Sequence, residues 1–257
     1  MNSKNSHRPH DHVDAETHFG FKTVAKADKA GMVRGVFDAV APKYDLMNDL
    51  MSLGVHRLWK ASFLDWLRPQ ANMRLADVGG GTGDIAFGFL ERGGGDVTVV
   101  DINEEMLSVG RDRAVDRGIL ENITWLNGDA ECLPLPDASF DAYTIAFCIR
   151  NVTHIDAALA DARRVLKPGG RFMCLEFSHV ALPWLEKVYD AYSFKLLPAI
   201  GATVAGDRDA YQYLAESIRR FPSQSAFSDM VRAAGFGEVS YNNLSGGIAA
   251  IHSAWRV

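Results

Sequence analysis

The stretch Arg74-Leu75-Ala76-Asp77-Val78-Gly79-Gly80-Gly81-Thr82-Gly83-Asp84-Ile85 decides the fold. Arg74 to Val78 is a short β-rich run and Ile85 to Arg92 reads as a helix, so the glycines occupy a strand-to-helix turn. Working outward, β-rich runs at Val97 to Ile102, Ile123 to Leu126, Phe140 to Phe147 and Arg171 to Phe177 alternate with helical segments at Glu104 to Arg117 and Ile155 to Leu166. Such alternation pairs strands in parallel through right-handed crossovers and predicts an α/β fold with a doubly wound, mostly parallel sheet. Lys167-Pro168-Gly169-Gly170 stops the helix ahead of the Arg171 strand. Two last runs, Glu238 to Asn242 and Ile248 to Val257, read as a closing hairpin and bring the expected sheet to seven strands.

In such a sheet the turn after the first strand lies at the carboxyl edge, where ligands bind. Gly79, Gly81 and Gly83, spaced two apart, let the backbone take positive φ and approach a ligand with no Cβ in the way. A dinucleotide-binding loop needs its third glycine where this chain has Asp84, whose charge would also oppose a pyrophosphate at the helix start. S-adenosylmethionine carries no phosphate, and the loop therefore points to that cofactor. Asp101, at the end of the second strand, is placed to accept both ribose hydroxyls; Asp129 with Ala130, after the third, is placed to accept from the adenine amino group. Taken singly, either aspartate could serve as a helix cap or turn residue. The loop followed by both, in that order, favours the nucleoside reading.

Composition bounds the rest. A chain of 257 residues with 47% hydrophobic side chains can bury one full core. A net charge of −5 and a pI near 5.9 leave no basic footprint, so no nucleic-acid partner is expected. Cys132, Cys148 and Cys174 show no C-x-x-C spacing and suggest neither a disulfide framework nor a zinc site. No apolar run approaches the ~18 residues of a membrane span and the N-terminus does not read as a signal peptide, so the expected location is cytoplasmic, at most peripheral to the inner membrane. Residues 1 to about 24, with His7, His10, His12 and His18, read as a solvated tail, and 25–257 as a single domain. Apolar residues at helical spacing from Lys26 to Leu67 (Val33, Val36, Phe37 and Val40, then Leu58, Phe63, Leu64 and Leu67) form a helical preface. An aromatic-rich helical insertion spans about 181–221. Its Trp184, Leu185, Val188 and Tyr192 could face a pocket, a membrane surface, a partner or the core.

Two segments are more specific than the glycine loop. Tyr44-Asp45-Leu46-Met47-Asn48-Asp49-Leu50-Met51-Ser52-Leu53-Gly54-Val55-His56-Arg57-Leu58-Trp59 and Arg164-Val165-Leu166-Lys167-Pro168-Gly169-Gly170-Arg171-Phe172-Met173-Cys174-Leu175-Glu176-Phe177-Ser178 both resemble signatures of the ubiquinone/menaquinone biosynthesis C-methyltransferases. The resemblance runs from about Thr17 to the C-terminus and takes in Ile149-Arg150-Asn151-Val152-Thr153 and Asp190-Ala191-Tyr192-Ser193-Phe194. It implies methyl transfer from S-adenosylmethionine to a ring carbon of a polyprenylated benzoquinol or demethylmenaquinol. It also implies cofactor contacts at Thr82, Asp101 and Asp129-Ala130. Where family members often carry a serine in the fourth strand, this chain has Ala146. Contact with a membrane or a quinone-biosynthesis complex, and a homodimer, are further options of the resemblance.

The chemistry asked of the residues is modest. A quinol that loses a phenolic proton becomes nucleophilic at its ortho carbon, so no metal is required. The protein must align the reactants, exclude water and take up one proton. The resemblance links the arginine after the fourth strand, Arg150, to proton removal. A guanidinium is a poor base, so stabilising a phenolate is its easier role, and pairing with a nearby aspartate to shape the loop is the equal alternative. His56 and Tyr44 are further site candidates, with helix packing the stronger expectation for His56. Methylation of another small hydrophobic acceptor, or a non-catalytic cofactor-binding subunit, are the competing functions.

Overall fold

A computed structural model of the chain describes residues 16–40, 49, 52, 54–180 and 208–257. The strand ahead of the glycine loop, β3 (Arg74–Val78), is buried on both faces: Leu75 joins the hydrophobic cluster on one side, Ala76 and Val78 the cluster on the other. It also pairs with a strand on each side, so it lies inside the sheet. The described residues form a sheet in the order β5 (Ile123–Asn127), β4 (Asp96–Asp101), β3, β6 (Phe140–Ala146), β7 (Leu166–Phe177), β9 (Ala249–Trp255), β8 (Gly237–Leu244). The pairs within β5-β4-β3-β6-β7 are parallel, and β9 runs antiparallel between β7 and β8. The closing hairpin therefore joins the sheet with its last strand on the inside.

Helices α3 (Asp84–Glu91) and α4 (Glu104–Asp116) make the crossovers β3 to β4 and β4 to β5, while α5 (Ile155–Val165) joins β6 to β7. The chain moves one way from β3 and then returns to place β6 on its other side, which opens a crevice at the carboxyl ends of β3 and β6. Lys167 to Gly170 bulge out of the pairing, since the register steps from Phe140 opposite Leu166 to Ala142 opposite Arg171, with Gly169 at φ 78°.

The preface supplies α1 (Lys26–Val40) and α2 (His56–Leu67). Trp59, Phe63, Leu64 and Leu67 of α2 enter the core, whereas Leu58, counted in the apolar stripe, is 68% exposed. Later α6 (Arg208–Arg220) packs against α1 and the turn after β6, and α7 (Gln224–Ala233) packs against β8 and β9. Tyr211, Tyr213 and Phe221 of the expected insertion are buried, which is core packing for these three. Trp184, Leu185, Val188, Tyr189, Tyr192 and Phe194 lie outside the described residues, as does Tyr44.

One expectation needs correction. Residues 16–24 were assigned to the solvated tail, yet β1 (Glu16–Phe19) and β2 (Lys22–Ala25) pair as an antiparallel hairpin. Phe19 stacks on Tyr213 at 4.1 Å between ring centroids, and Phe21 N–H donates to Glu216 at 2.9 Å. Those anchors lie almost two hundred residues away in sequence, so local composition carries no trace of them.

Candidate functional site

The crevice is a cleft of about 100 Å³ at the carboxyl edge of the sheet, the place where open α/β sheets bind ligands. Val78, Gly79 and Gly81 line it from β3 and its loop; Asp101, Ile102, Asn103 and Met106 from the end of β4; Gly128, Asp129, Ala130 and Glu131 from the turn after β5. Phe147, Cys148, Asn151, Val152 and Thr153 close one side, and α1 contributes Ala30, Val33 and Arg34 from across the opening. Every segment named from β3, β4 and β5 ends at the same sheet edge, as parallel strands require.

Gly79 and Gly81 have φ of 62° and 52°. A Cβ at Gly79 would lie 2.2 Å from the Cys148 Sγ, and one at Gly81 would point 3.0 Å from the Met106 methyl at the cavity edge. The loop is thus pressed between the next strand and the space above it. Asp101 is fixed by its loop neighbours: Gly81 N–H donates to Oδ2 and Asn103 N–H to Oδ1, each at 2.9 Å. Burial nevertheless raises its carboxyl to about 6, against the pull of those amides. Each oxygen keeps lone-pair capacity for a further donor. Asp129 has a local duty too, accepting from Glu131 N–H at 2.9 Å, while Ala130 is 9% exposed beside it.

Thr82 is placed differently. It is buried, its hydroxyl accepts from Arg113 Nη1 at 3.0 Å, and it lines a small adjoining pocket with Asp77, Asp84, Lys60 and Ala146. That pocket shares Gly79 and Phe147 with the main cleft, so the loop separates two compartments of one crevice. Asp84 is held by Lys60 at 2.6 Å and Arg113 at 3.4 Å. Burial alone would raise its carboxyl, but the two cations bring it below the usual aspartate value. Asp84 is therefore an ionised carboxylate whose charge is offset by two cations, so it opposes a pyrophosphate less than an unpaired aspartate would; the glycine spacing still departs from a dinucleotide loop. Asp77, beneath the loop, is 1% exposed; Thr144 Oγ1 donates to its Oδ1 at 2.8 Å and Oδ2 has no hydrogen-bond partner, so burial pushes the carboxyl up to about 7.

Arg150 does not line the main cleft. Its side chain is 2% exposed and its Nη1 donates to Glu176 Oε1 and to the Phe147 carbonyl, each at 2.6 Å. The carboxylate partner foreseen for it is a glutamate of β7 rather than an aspartate. His56 is packed into α2 at 2% exposure, with Nε2 2.9 Å from Asp49; burial and the nearby Lys60 charge lower its pKa, consistent with helix packing.

Sequence reasoning passed over Phe147, Cys148, Asn151 and the α1 face. Phe147 has φ 55°, a backbone region that bulky residues avoid, at the end of the strand beside the crevice. Nothing in the letters Ala-Phe-Cys-Ile announces a left-handed phenylalanine. Asn151 accepts from the buried Tyr213 hydroxyl at 2.9 Å, a contact that needs α6 in place. Asn103 was legible: it follows the strand and caps α4 by accepting from Met106 N–H at 3.1 Å.

The chain is similar to known proteins. The profile of the ubiE/COQ5 methyltransferase family matches residues 22–256. The ubiquinone/menaquinone biosynthesis C-methyltransferase of Paracoccus denitrificans is 59% identical over 94% of this chain and 97% of its own length. The enzyme of the same name from Methylobacterium nodulans is 58% identical over 95% and 98%. Among solved structures, an S-adenosylmethionine-dependent methyltransferase from Thermotoga maritima superposes with a TM-score of 0.64 at 22% identity, covering 87% of this chain and 99% of that one, a likeness of fold.

Proposed function

The chain belongs to the ubiE/COQ5 methyltransferase family, and from that membership we propose that the cleft below α1 holds S-adenosylmethionine while a polyprenylated quinol is methylated at a ring carbon. The enzyme is a C-methyltransferase of ubiquinone/menaquinone biosynthesis. When bound, the cofactor supplies an electrophilic methyl group on a sulfonium. The residues present fit it: a nucleoside diol needs a fixed acceptor at a strand end, and Asp101 is that acceptor, oriented by two backbone amides. That single arrangement carries the assignment. Asp129 and Ala130 would meet the adenine edge, the apolar wall of Val78, Ile102, Met106 and Phe147 would exclude water, and Gly79 and Gly81 would let the backbone reach the ligand. Thr82 would serve from the adjoining compartment beyond the loop.

Arg150 enters this reading as a residue that shapes the wall, since its guanidinium is committed to Glu176 and Phe147. The acceptor is the benzoquinol, with the naphthoquinol as a second substrate of the same site. Among the described residues no helix is long and apolar enough to cross a membrane. A tailed acceptor resides in a bilayer, so the reading includes transient contact with the lipid surface. Deleting the gene and profiling lipid quinones tests it: a ring-bearing species one methyl group lighter is expected, and an unaltered quinone profile would refute the assignment.

A further inference from the structure

The left-handed Phe147 calls for an explanation, because a bulky residue in that region is held there only by its surroundings. The restraint comes from the end of β7. Phe147 N–H donates to the Leu175 carbonyl at 2.8 Å, and the Phe147 carbonyl accepts from Arg150 Nη1 at 2.6 Å. The same Nη1 donates to Glu176 Oε1, which also accepts from Phe177 N–H at 2.9 Å, while Glu176 Oε2 lies 3.4 Å from the Arg150 backbone N–H. Phe177 packs on the Phe147 ring at 4.9 Å, and the Arg150 guanidinium lies 5.6 Å from the Phe177 centroid. Both charged side chains are almost completely buried, at 2% and 1% exposure. A buried pair of this kind adds little to net stability compared with apolar residues of the same volume, so its retention asks for a conformational reason.

We propose that Glu176 is a positioning residue for the cofactor: through Arg150 it clamps the Phe147 to Asn151 turn, and that turn forms the wall of the cleft against which Gly79 and the ligand are set. The proposal rests on the cleft being the S-adenosylmethionine site. Phe147 lines both compartments of the crevice, and the following Cys148 fills the space a side chain at Gly79 would need. Releasing the clamp frees Phe147 to return to negative φ, swings its ring and carbonyl, and moves Cys148 relative to the glycine loop. The defect therefore shows in cofactor affinity even when the fold survives.

The test pairs stability with binding, using S-adenosylhomocysteine as the probe in titration calorimetry. Replacing both partners, Arg150→Met with Glu176→Leu, removes the charges together and avoids stranding one of them. The double variant is expected to melt within a few degrees of the parent yet bind the probe at least tenfold more weakly. A folded double variant with the parental Kd would overturn the proposal. Glu176→Asp provides the second measurement, since it keeps the charge but withdraws the carboxylate by one methylene; a several-fold loss of affinity is expected, and an unchanged Kd would again overturn the clamp. Should the unaltered protein fail to bind the probe, the cofactor site itself is misassigned, an outcome separate from failure of the clamp alone.

Discussion

Replacing Gly79 with alanine should damage the protein by an amount that can be worked out from two contacts. The new Cβ would fall 2.2 Å from Cys148 Sγ and 2.5 Å from its Cβ, well inside contact distance. Overpacking of this sort costs about 1–3 kcal/mol. The residue also sits at φ 62°, where a side chain costs about 1–2 kcal/mol. The sum is roughly 2–5 kcal/mol, which for a chain of this size lowers Tm by about 4–20 °C. The two contributions separate in a double-mutant cycle. Cys148→Gly removes both atoms in the overlap, so in that background Gly79→Ala should cost only the strain of about 1–2 kcal/mol. Melting of the four proteins by calorimetry gives the coupling energy, expected at about 1–3 kcal/mol in favour of the double variant. Strict additivity of the two substitutions would refute the claim that the loop is packed directly on Cys148.

Three further outcomes follow from charge and hydrogen bonding. The Asp101 carboxyl of the free protein titrates near 6, and hydroxyl donors favour its charged form, so binding of S-adenosylhomocysteine should tighten as pH rises from about 5 to 7. Asp101→Asn should bind weakly and flatten that dependence in titration calorimetry; a parallel pH profile in the variant would count against the assignment. Asp77 is raised to about 7, above its unfolded value, so the native state holds this proton longer than the unfolded chain and loses stability as pH climbs between roughly 4 and 7. Asp77→Asn removes that loss, and its Tm relative to the parent should improve from pH 5 to pH 8, an offset independent of pH being the contrary result. Lys60→Met leaves Asp84, at the start of α3, with Arg113 at 3.4 Å as its remaining cation, and denaturant unfolding should show a loss of about 1 kcal/mol or more. An unchanged midpoint would mean that the pair between α2 and α3 contributes nothing.

How legible the site was depends on how local each cause is. Asp101 and Asp129 could be placed because a residue at the end of a parallel strand reaches the carboxyl edge whatever else the chain does. Arg150 could not be assigned a side. Its position after β6 is local, but the direction of its guanidinium depends on Glu176, twenty-six residues later on the neighbouring strand. Thr82 lies on the glycine loop and faces the adjoining compartment, a placement set by Arg113 on α4. The hairpin from Glu16 to Ala25 was misjudged for the same reason, since Tyr213 and Glu216 order it from afar.

Patterns that repeat along the chain were enough to settle the doubly wound sheet and the glycine turn at its carboxyl edge, because hydrophobic period and glycine spacing act over a few residues. The placement of β9 between β7 and β8, the buried Arg150–Glu176 pair, the left-handed Phe147 and the cover supplied by α1 came from the tertiary structure alone. Each depends on groups distant in sequence meeting where water has been excluded. There an unpaired charge or polar atom is costly enough to select one partner among many that the sequence would allow.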